Sequence, residues 1–499
     1  MQPKLRVLVA FVLLRGLVSP LGLGAQDRAA SKERIRSFIT GEVGKPPALI
    51  PSMAIAVVKD DVIVWEEAFG WADQQRRIAA TTTTPYYLAS VTKVLTSTAL
   101  ALLANEGRID MNRSVNAYLG SHKLRPALWD ENAITVERVA NQLSGLTTFD
   151  LSCASAASCR LESAVDRFGV IVRPPGDTFD YSNLNYGILS AVIAAASKQT
   201  YGDYLRRAIF GPLGMRDCGI GPDDLPSRQA IRYPFGTMRG TELQYSASLG
   251  ASGGFCSAHS LALFARALLS LSPAPAARRW STLLPSSGVD TGPGQPTGLM
   301  YKYGWWIQPD YVGTLSIDAM GGTTDASALI RLIPTERLAV IVLVNSATDY
   351  GHIADLIVDE FVPAIRERRK TWTPPALVAR QRRPTAPELV GTWAGSIDTY
   401  RGKRELTISI DAAGAVTGSL AGVTTEISLT NGISSGPRVF GLLVNADLGI
   451  DESKSGSYDV QLSLALYGSR LAGSASTRAH MGAVSNPVTF LAELTRRPN

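Results

Sequence analysis

Ser90 and Lys93 stand one helical turn apart in "YYLASVTKVLTSTALALLANEG", residues 86–107. A hydroxyl beside an amine is one way to build a nucleophile with its base. Residues i and i+3 share a helix face, so the Lys93 amine is within reach of the Ser90 hydroxyl. The plain alternative is a helix entry. Serine caps a free backbone N–H, and Val94, Leu95, Thr98, Ala99, Leu102 and Leu103 recur at helical spacing ahead of Gly107. A lone S-x-x-K arises by chance roughly once in a few hundred residues at ordinary Ser and Lys usage, so the spacing alone does not decide. Two other stretches carry chemistry. Tyr181 and Asn183 lie in "PPGDTFDYSNLNYGILS", where the plain reading is a pair of hydrogen-bonded turn residues. Met320, Gly321 and Gly322 precede Thr323 in "DAMGGTTDASALI", where glycines let a substrate lie against backbone.

These residues need a scaffold, and the surrounding patterns supply one. "PSMAIAVVKDDVIVWEEAFGWAD", residues 51–73, reads as two strands joined by a polar turn at 59–61. Residues 112–270 are mostly helices and loops. Strands resume at 327–346, where two apolar runs flank a Pro-containing turn, and an amphipathic helix follows in "HIADLIVDEFVPAIRERR". Strands at both ends of a helical middle imply one sheet completed by distant parts of the chain, an α/β arrangement. Beyond a basic, Pro-interrupted linker at 366–385, residues 386–499 alternate with period two between Gly-rich turns. That predicts a C-terminal all-β domain, a small antiparallel barrel or sandwich. It holds no chemical constellation, so a structural or substrate-gating accessory is its default role.

The 499 residues are 45% hydrophobic, enough for a sizeable core and more than one domain. The net charge is +6, but three of those charges, Lys4, Arg6 and Arg15, fall in residues 1–25. That segment starts basic, turns apolar from Val7 to Leu14 and ends in small residues, a signal-peptide pattern with cleavage near Gly24 or Ala25. No later apolar run approaches the ~18 residues of a membrane span. The expectation is therefore an exported protein, periplasmic or extracellular. Much of the remaining basic excess is the 366–385 stretch, read as a solvated connector, with an anionic envelope polymer as the alternative contact. No basic stripe interleaved with aromatics appears, which argues against nucleic acid. The four cysteines match no zinc spacing. Proximity favours the pairs Cys153–Cys159 and Cys218–Cys256, with free thiols as the alternative. His122, His259, His352 and His480 are scattered without a metal motif, so neither metal nor cofactor is expected.

Together the phrases decide the opening ambiguity. "IPSMAIAVVKDDVIVWEEAFGWAD", "YYLASVTKVLTSTALALLANEGRIDMNRSV", "ITVERVANQLSGL", "PPGDTFDYSNLNYGILS", "GASGGFCSAHSLALFARALL", "YGWWI" and the Met320 region occur in the order of a known family. The chain resembles the serine β-lactamase and penicillin-binding-protein superfamily, in the branch of class C β-lactamases, D-aminopeptidases and β-lactamase-like carboxylesterases. The resemblance covers roughly residues 30–365 within an expected domain of 26–365. It implies a β-lactamase-like fold, an antiparallel sheet flanked by helices. It also implies Ser90 as nucleophile and helix start, with Lys93 as the neutral amine that helps remove its proton. Tyr181 would share the proton work, and Asn183 would hold the substrate's acyl-side carbonyl and orient Lys93. The backbone N–H groups of Ser90 and Thr323 would form the oxyanion hole beside Met320, Gly321 and Gly322.

Two departures bear on function. The third motif of this family begins with Lys, His or Trp, and here Met320 stands at that place. The cation for a substrate carboxylate is therefore missing, with Arg331 or a residue of the middle helices as a substitute to be tested. Arg138 and Gln142 replace two histidines that relatives often carry. The resulting expectation is an exported serine hydrolase cleaving a small ester or amide through an acyl-Ser90 intermediate, carboxylesterase-like. The alternatives are a β-lactamase or D-alanyl-D-alanine carboxypeptidase/D-aminopeptidase, and a catalytically weak binding or sensor protein with the same fold. The partner would be a small ester, amide or peptide; oligomeric state is left open.

Overall fold

The computed structural model describes residues 25–43, 50–147, 152–153, 159–221, 224, 229–234, 237, 240, 245–379, 383–421, 426–451, 458–479 and 488–498. The expected signal segment, up to residue 24, lies outside them, as does His480. Among the described residues no helix is long and apolar enough to cross a membrane.

Helix α1 (Ala25–Glu42) precedes the hairpin of β1 (Ser52–Lys59) and β2 (Val62–Asp73), which β3 (Ile78–Ala79) extends. The helical middle contains α2 (Thr92–Asn105), α3 (Asn183–Ser197) and α4 (Ala258–Leu269). Six strands follow: β4 (Val289–Asp290), β5 (Met300–Lys302), β6 (Trp305–Tyr311), β7 (Thr314–Gly322), β8 (Ser327–Ile333) and β9 (Leu338–Val344). Then come α5 (Tyr350–Phe361) and α6 (Pro363–Arg369). The nine strands form one antiparallel sheet in the order β3-β2-β1-β9-β8-β7-β6-β5-β4. The expected closure of the sheet by distant segments is the β1–β9 ladder, running from Met53↔Val344 to Lys59↔Leu338.

The central strands read as unbroken apolar runs because both faces are covered. Every residue of β9, "LAVIVLV", is buried. Ala339, Ile341 and Leu343 pack with the helical middle, while Leu338, Val340, Val342 and Val344 pack under α1 and α5. Strand β1 divides the same way, with small Ala54 and Ala56 toward the middle helices, where α4 packs against β1 and β9. Successive strand residues point to opposite faces, so one sequence run serves two cores.

The Cys218–Cys256 disulfide joins the short paired strands Gly219–Ile220 and Gly254–Cys256, as expected. Cys159 is also disulfide-bonded; the expected Cys153–Cys159 pairing involves a side chain outside the described residues.

Most described residues of the 366–385 stretch are exposed, while its first turn is helical and partly paired. Pro363 restarts a helix that runs through Arg369. Arg366 lies 3.5 Å from Glu360 and Arg369 2.9 Å from Asp359, so acids on α5 take up these charges. Farther on, Thr297 N–H donates to Ala376 O and Val378 N–H to Gln295 O, both at 2.8 Å, which ties the segment to the loop before β5.

The C-terminal strands, from Gly391–Thr399 to Thr489–Arg496, form a closed eight-stranded antiparallel barrel. Its first and last strands pair from Trp393↔Arg496 to Asp398↔Leu491. Trp393, Ile397, Leu406, Leu462, Leu471 and Phe490 are buried in its core, so the period-two pattern yields a filled barrel.

Candidate active site

Tyr86–Tyr87 pairs with the Gly254–Cys256 strand, and Leu88 N–H donates to Gly254 O at 2.9 Å. From there the chain enters a tight 3₁₀ turn, Ala89–Val91, that runs into α2. Ala89 sits at φ 44°, a left-handed conformation that costs a non-glycine residue roughly 1–3 kcal/mol. Thr92 holds this turn: its hydroxyl donates to Ala89 O at 2.7 Å and accepts from Gly254 N–H at 2.9 Å. Ser90 is not a helix cap. The position before α2 is Val91, with no side-chain cap, so the helix-start role expected of Ser90 is corrected: its hydroxyl belongs to Lys93.

Lys93 is 1% exposed. Its Nζ lies 3.0 Å from Ser90 Oγ, 2.7 Å from Asn183 Oδ1 and 3.1 Å from Ala251 O. Asn183 is the first residue of α3. Tyr181, two residues earlier, places its ring centroid 4.7 Å from the same Nζ. The S-x-x-K and Y-x-N residues, distant in sequence, therefore meet at one buried amine.

Gln142, in the place of an expected histidine, brackets the Tyr181 loop. Its backbone O accepts from Asp180 N–H at 2.9 Å, and its Oε1 accepts from Ser182 N–H at 3.1 Å and Asn185 Nδ2 at 2.6 Å. Arg138 donates to Ala133 O at 2.8 Å, and its guanidinium lies against Gly176 of the loop before Tyr181. Sequence reasoning missed two further contacts. Trp306, on β6, stacks on Tyr181 at 6.0 Å with 16° between the rings. Gly304, in the β5–β6 turn at φ 87°, lies so close to α2 that a Cβ there would stand 2.9 Å from Lys93 C. Both belong to the phrase "YGWWI", the signal that pointed at this turn.

The third motif needs a change of register. Thr323 N–H donates to Ala326 O at 2.9 Å, so it is already engaged in the β7–β8 turn and is not the second oxyanion donor. In an antiparallel pair hydrogen-bonded and non-bonded positions alternate. With Thr323 bonded toward β8, Gly322, opposite Ser327, directs its N–H to the other edge of β7. The β6 ladder has ended by then, at Trp306↔Asp318. Gly321 faces the Ser90 loop: a Cβ on it would lie 2.2 Å from Leu88 O and 3.0 Å from Ser90 N. Placing the donor at Gly322 makes Ala319, fully buried, the motif's first residue and Met320 its second. The position still carries no cation.

Met320 is partly buried and packs against the core under α5. Arg331 does not substitute for the missing charge. It is buried and bound to Asp318 through Nη2 at 2.7 Å, to Asp355, and over the Tyr311 ring. Arg232 approaches the Thr323 turn, but donates to Asp325 at 3.3 Å and lies over the Tyr87 ring. Among the described residues no three His, Cys, Asp or Glu side chains converge as a metal site. A cavity of about 260 Å³ bounded by Leu213, Arg266 and Trp280 lies elsewhere, and none of the Ser90 cluster lines it.

Comparison with known proteins places the chain in a family. The chain is 26% identical over 340 residues to Protein flp of Staphylococcus aureus, covering 64% of each chain. It is 27% identical over 351 residues to the unguisins hydrolase ungD' of Aspergillus campestris, covering 65% of this chain and 64% of that one. It thus spans somewhat less than two thirds of the length of these curated relatives. A class C β-lactamase superposes on 68% of this chain and 98% of its own with TM-score 0.57 at 16% identity. The octameric penicillin-binding protein homologue from Pyrococcus abyssi covers 92% of this chain and all of its own, with TM-score 0.53 at 18% identity. These two likenesses show the fold. The Beta-lactamase family model matches residues 44–360, more than half the chain and the span from β1 into α5, and the chain belongs to the Beta-lactamase family.

Proposed function

We propose that this protein is an exported serine hydrolase that cleaves a small, uncharged ester or amide through an acyl-Ser90 intermediate. The observation that carries the reading is the Lys93 amine, buried and hydrogen-bonded to both Ser90 and Asn183. A neutral amine has two N–H bonds and one lone pair. Asn183 Oδ1 and Ala251 O accept the two N–H bonds, which aims the lone pair at the Ser90 hydroxyl. Ser90 Oγ then attacks the substrate carbonyl carbon as its proton moves to Lys93. The carbonyl oxygen becomes an oxyanion held by the Ser90 and Gly322 N–H groups. As the tetrahedral carbon collapses, the bond to the leaving alkoxide or amine breaks, and that group takes the proton by way of Tyr181. Water attacks the acyl carbon with the same base, releasing the acid and restoring Ser90.

A neutral substrate is favoured because Arg331 and Arg232 are committed to Asp318 and Asp325, leaving a carboxylate no partner from either. The signal-like segment and the Cys218–Cys256 disulfide support export, since disulfides persist in oxidising compartments. The test is fluorophosphonate labelling followed by turnover of a short-chain aryl ester, a chromogenic cephalosporin and D-amino-acid amides. Ester turnover with Ser90 labelled supports the reading; a cephalosporin turned over faster than the ester overturns its substrate class.

Lys93→Ala and Tyr181→Phe should each lower kcat by about 10²–10⁴-fold, the range for lost general acid–base work, measured at saturating ester. Met320 lies on the α5 side of β7, opposite Ala319, so Met320→Lys should leave the ratio of kcat/KM for cephalosporin over ester within about 3-fold of wild type. A ratio raised about 10-fold, the size of one charge-assisted hydrogen bond, would show that this side chain reaches the substrate.

A further inference from the structure

The C-terminal barrel touches the chain at the segment that leads into Tyr181. Arg173 and Asp180, at the two ends of the loop "RPPGDTFD", form an ion pair that closes it. The same guanidinium crosses to the barrel. Its Nη2 donates to Ser463 Oγ at 3.2 Å and Ser474 Oγ at 3.5 Å. These two serines are cross-strand partners on neighbouring barrel strands, Tyr458–Tyr467 and Arg470–Ala479. The loop's backbone is fixed from the other side by Gly176 N–H to Leu143 O at 2.7 Å and Asp180 N–H to Gln142 O at 2.9 Å. Trp129 meets Tyr467 of the barrel edge-on at 4.7 Å beside this contact.

Resting on the reading of Tyr181 as a proton carrier, we propose that Arg173, held by barrel residues Ser463 and Ser474, is a positioning residue for Tyr181, so that the barrel helps set the geometry of catalysis. The next residue after Asp180 is Tyr181, and no slack separates them. The only bonds available to move between the clasp and the phenol ring are those of two adjacent backbone units. A loop left free to shift by even an ångström would carry the phenol out of line with Lys93, and misplacement of that size costs up to about 10²-fold. A serine pair on a rigid barrel is a firmer anchor for a long arginine than solvent.

The charges around the clasp give it a signature. Burial raises the Asp180 carboxyl above its ordinary range, while Arg173 and Arg438 pull it back down. Asp177 and Tyr467 share this boundary with Arg173 and Arg438. Protonating Asp180 breaks its ion pair with Arg173, so the wild-type kcat should fall on the acid side as the clasp loosens. Arg173→Ala has no clasp to lose at any pH, so this part of the acid-side fall should be missing from its profile, which simple loss of packing would not cause.

The experiment uses the full-length protein with a saturating aryl ester. Arg173→Ala should lower kcat about 10- to 100-fold with KM nearly unchanged, and lose the acid-side fall tied to Asp180. The double variant Ser463→Ala/Ser474→Ala, far gentler on folding, should lower kcat about 3- to 10-fold. Tyr400→Phe removes the hydroxyl that accepts from Arg167 at 2.7 Å, at a separate barrel contact, and should leave kcat unchanged. Wild-type kcat in the serine double variant overturns the proposal. So does an equal loss in Tyr400→Phe, because the barrel would then act only as general support. Ser90→Ala separates this from failure of the underlying reading: turnover surviving there refutes the hydrolase mechanism itself, whereas Ser90-dependent turnover with silent clasp variants refutes only the clasp.

Discussion

Ser90→Ala should abolish fluorophosphonate labelling and lower ester turnover by at least about 10⁴-fold, the scale on which loss of a serine nucleophile is felt. The fold should survive with little change. Ser90 caps no helix, and the strained Ala89 turn is held by Thr92, not by the serine hydroxyl. Lys93 would lose its Ser90 contact and keep Asn183 Oδ1 and Ala251 O. The net loss from one such bond is about 1 kcal/mol, a shift of a few degrees at most in a chain of this length. Intact-mass analysis after labelling and calorimetry check both halves. Turnover at the wild-type rate would remove Ser90 from the mechanism, and a collapsed melting temperature would show that the hydroxyl holds the turn after all.

What the sequence reveals about this site follows from the range of the interactions involved. Ser90 and Lys93 are legible because a single helical turn joins them, and Tyr181 and Asn183 because their family context is distinctive. The sheet's hairpins and the barrel's strands are legible for the same local reason: alternation is a property of neighbouring residues. Closure of the barrel is not local, since it depends on the Trp393↔Arg496 pairing at the domain's two ends. The contacts of Gln142 with Ser182 and Asn185 are equally remote in sequence, as is the stacking of Trp306 on Tyr181. Nothing in the residue types announces them.

Charge misleads in a related way. Arg366 and Arg369 read only as connector charges, because the acids near them, Glu360 and Asp359, belong to the preceding helix. Arg173 reads as one more loop cation, although its partners lie on the barrel. The oxyanion donor is a subtler case. The triplet lies beside the Ser90 turn, but which N–H faces the cleft depends on strand register. That is set by the Thr323–Ala326 bond, and a one-residue shift reverses the edge.

The two neighbouring glycines of that strand should respond to the same substitution very differently. Gly321→Ala should reduce kcat/KM for the ester by about 10²–10³-fold, while Gly322→Ala should cost far less. At Gly321 a new Cβ would lie 2.2 Å from Leu88 O and 3.0 Å from the nitrogens of Ser90 and Val91. All three are backbone atoms, which cannot swing aside as a side-chain tip can. Relief requires β7 and the nucleophile turn to separate by roughly an ångström, and overpacking of this kind costs about 1–3 kcal/mol of stability. The larger effect falls on catalysis, since the displaced groups include the Ser90 N–H and the β7 edge beside Gly322. Loss of one aligned oxyanion donor is worth 10²–10³-fold. At Gly322 nothing lies within 4 Å of the added methyl, and alanine keeps the backbone N–H. Steady-state kinetics and labelling rates on both variants, with melting temperatures alongside, provide the comparison. A Gly321→Ala enzyme as active as Gly322→Ala would mean that β7 does not press on the Ser90 turn in the working protein, and the proposed pairing of the Ser90 and Gly322 donors would fall with it.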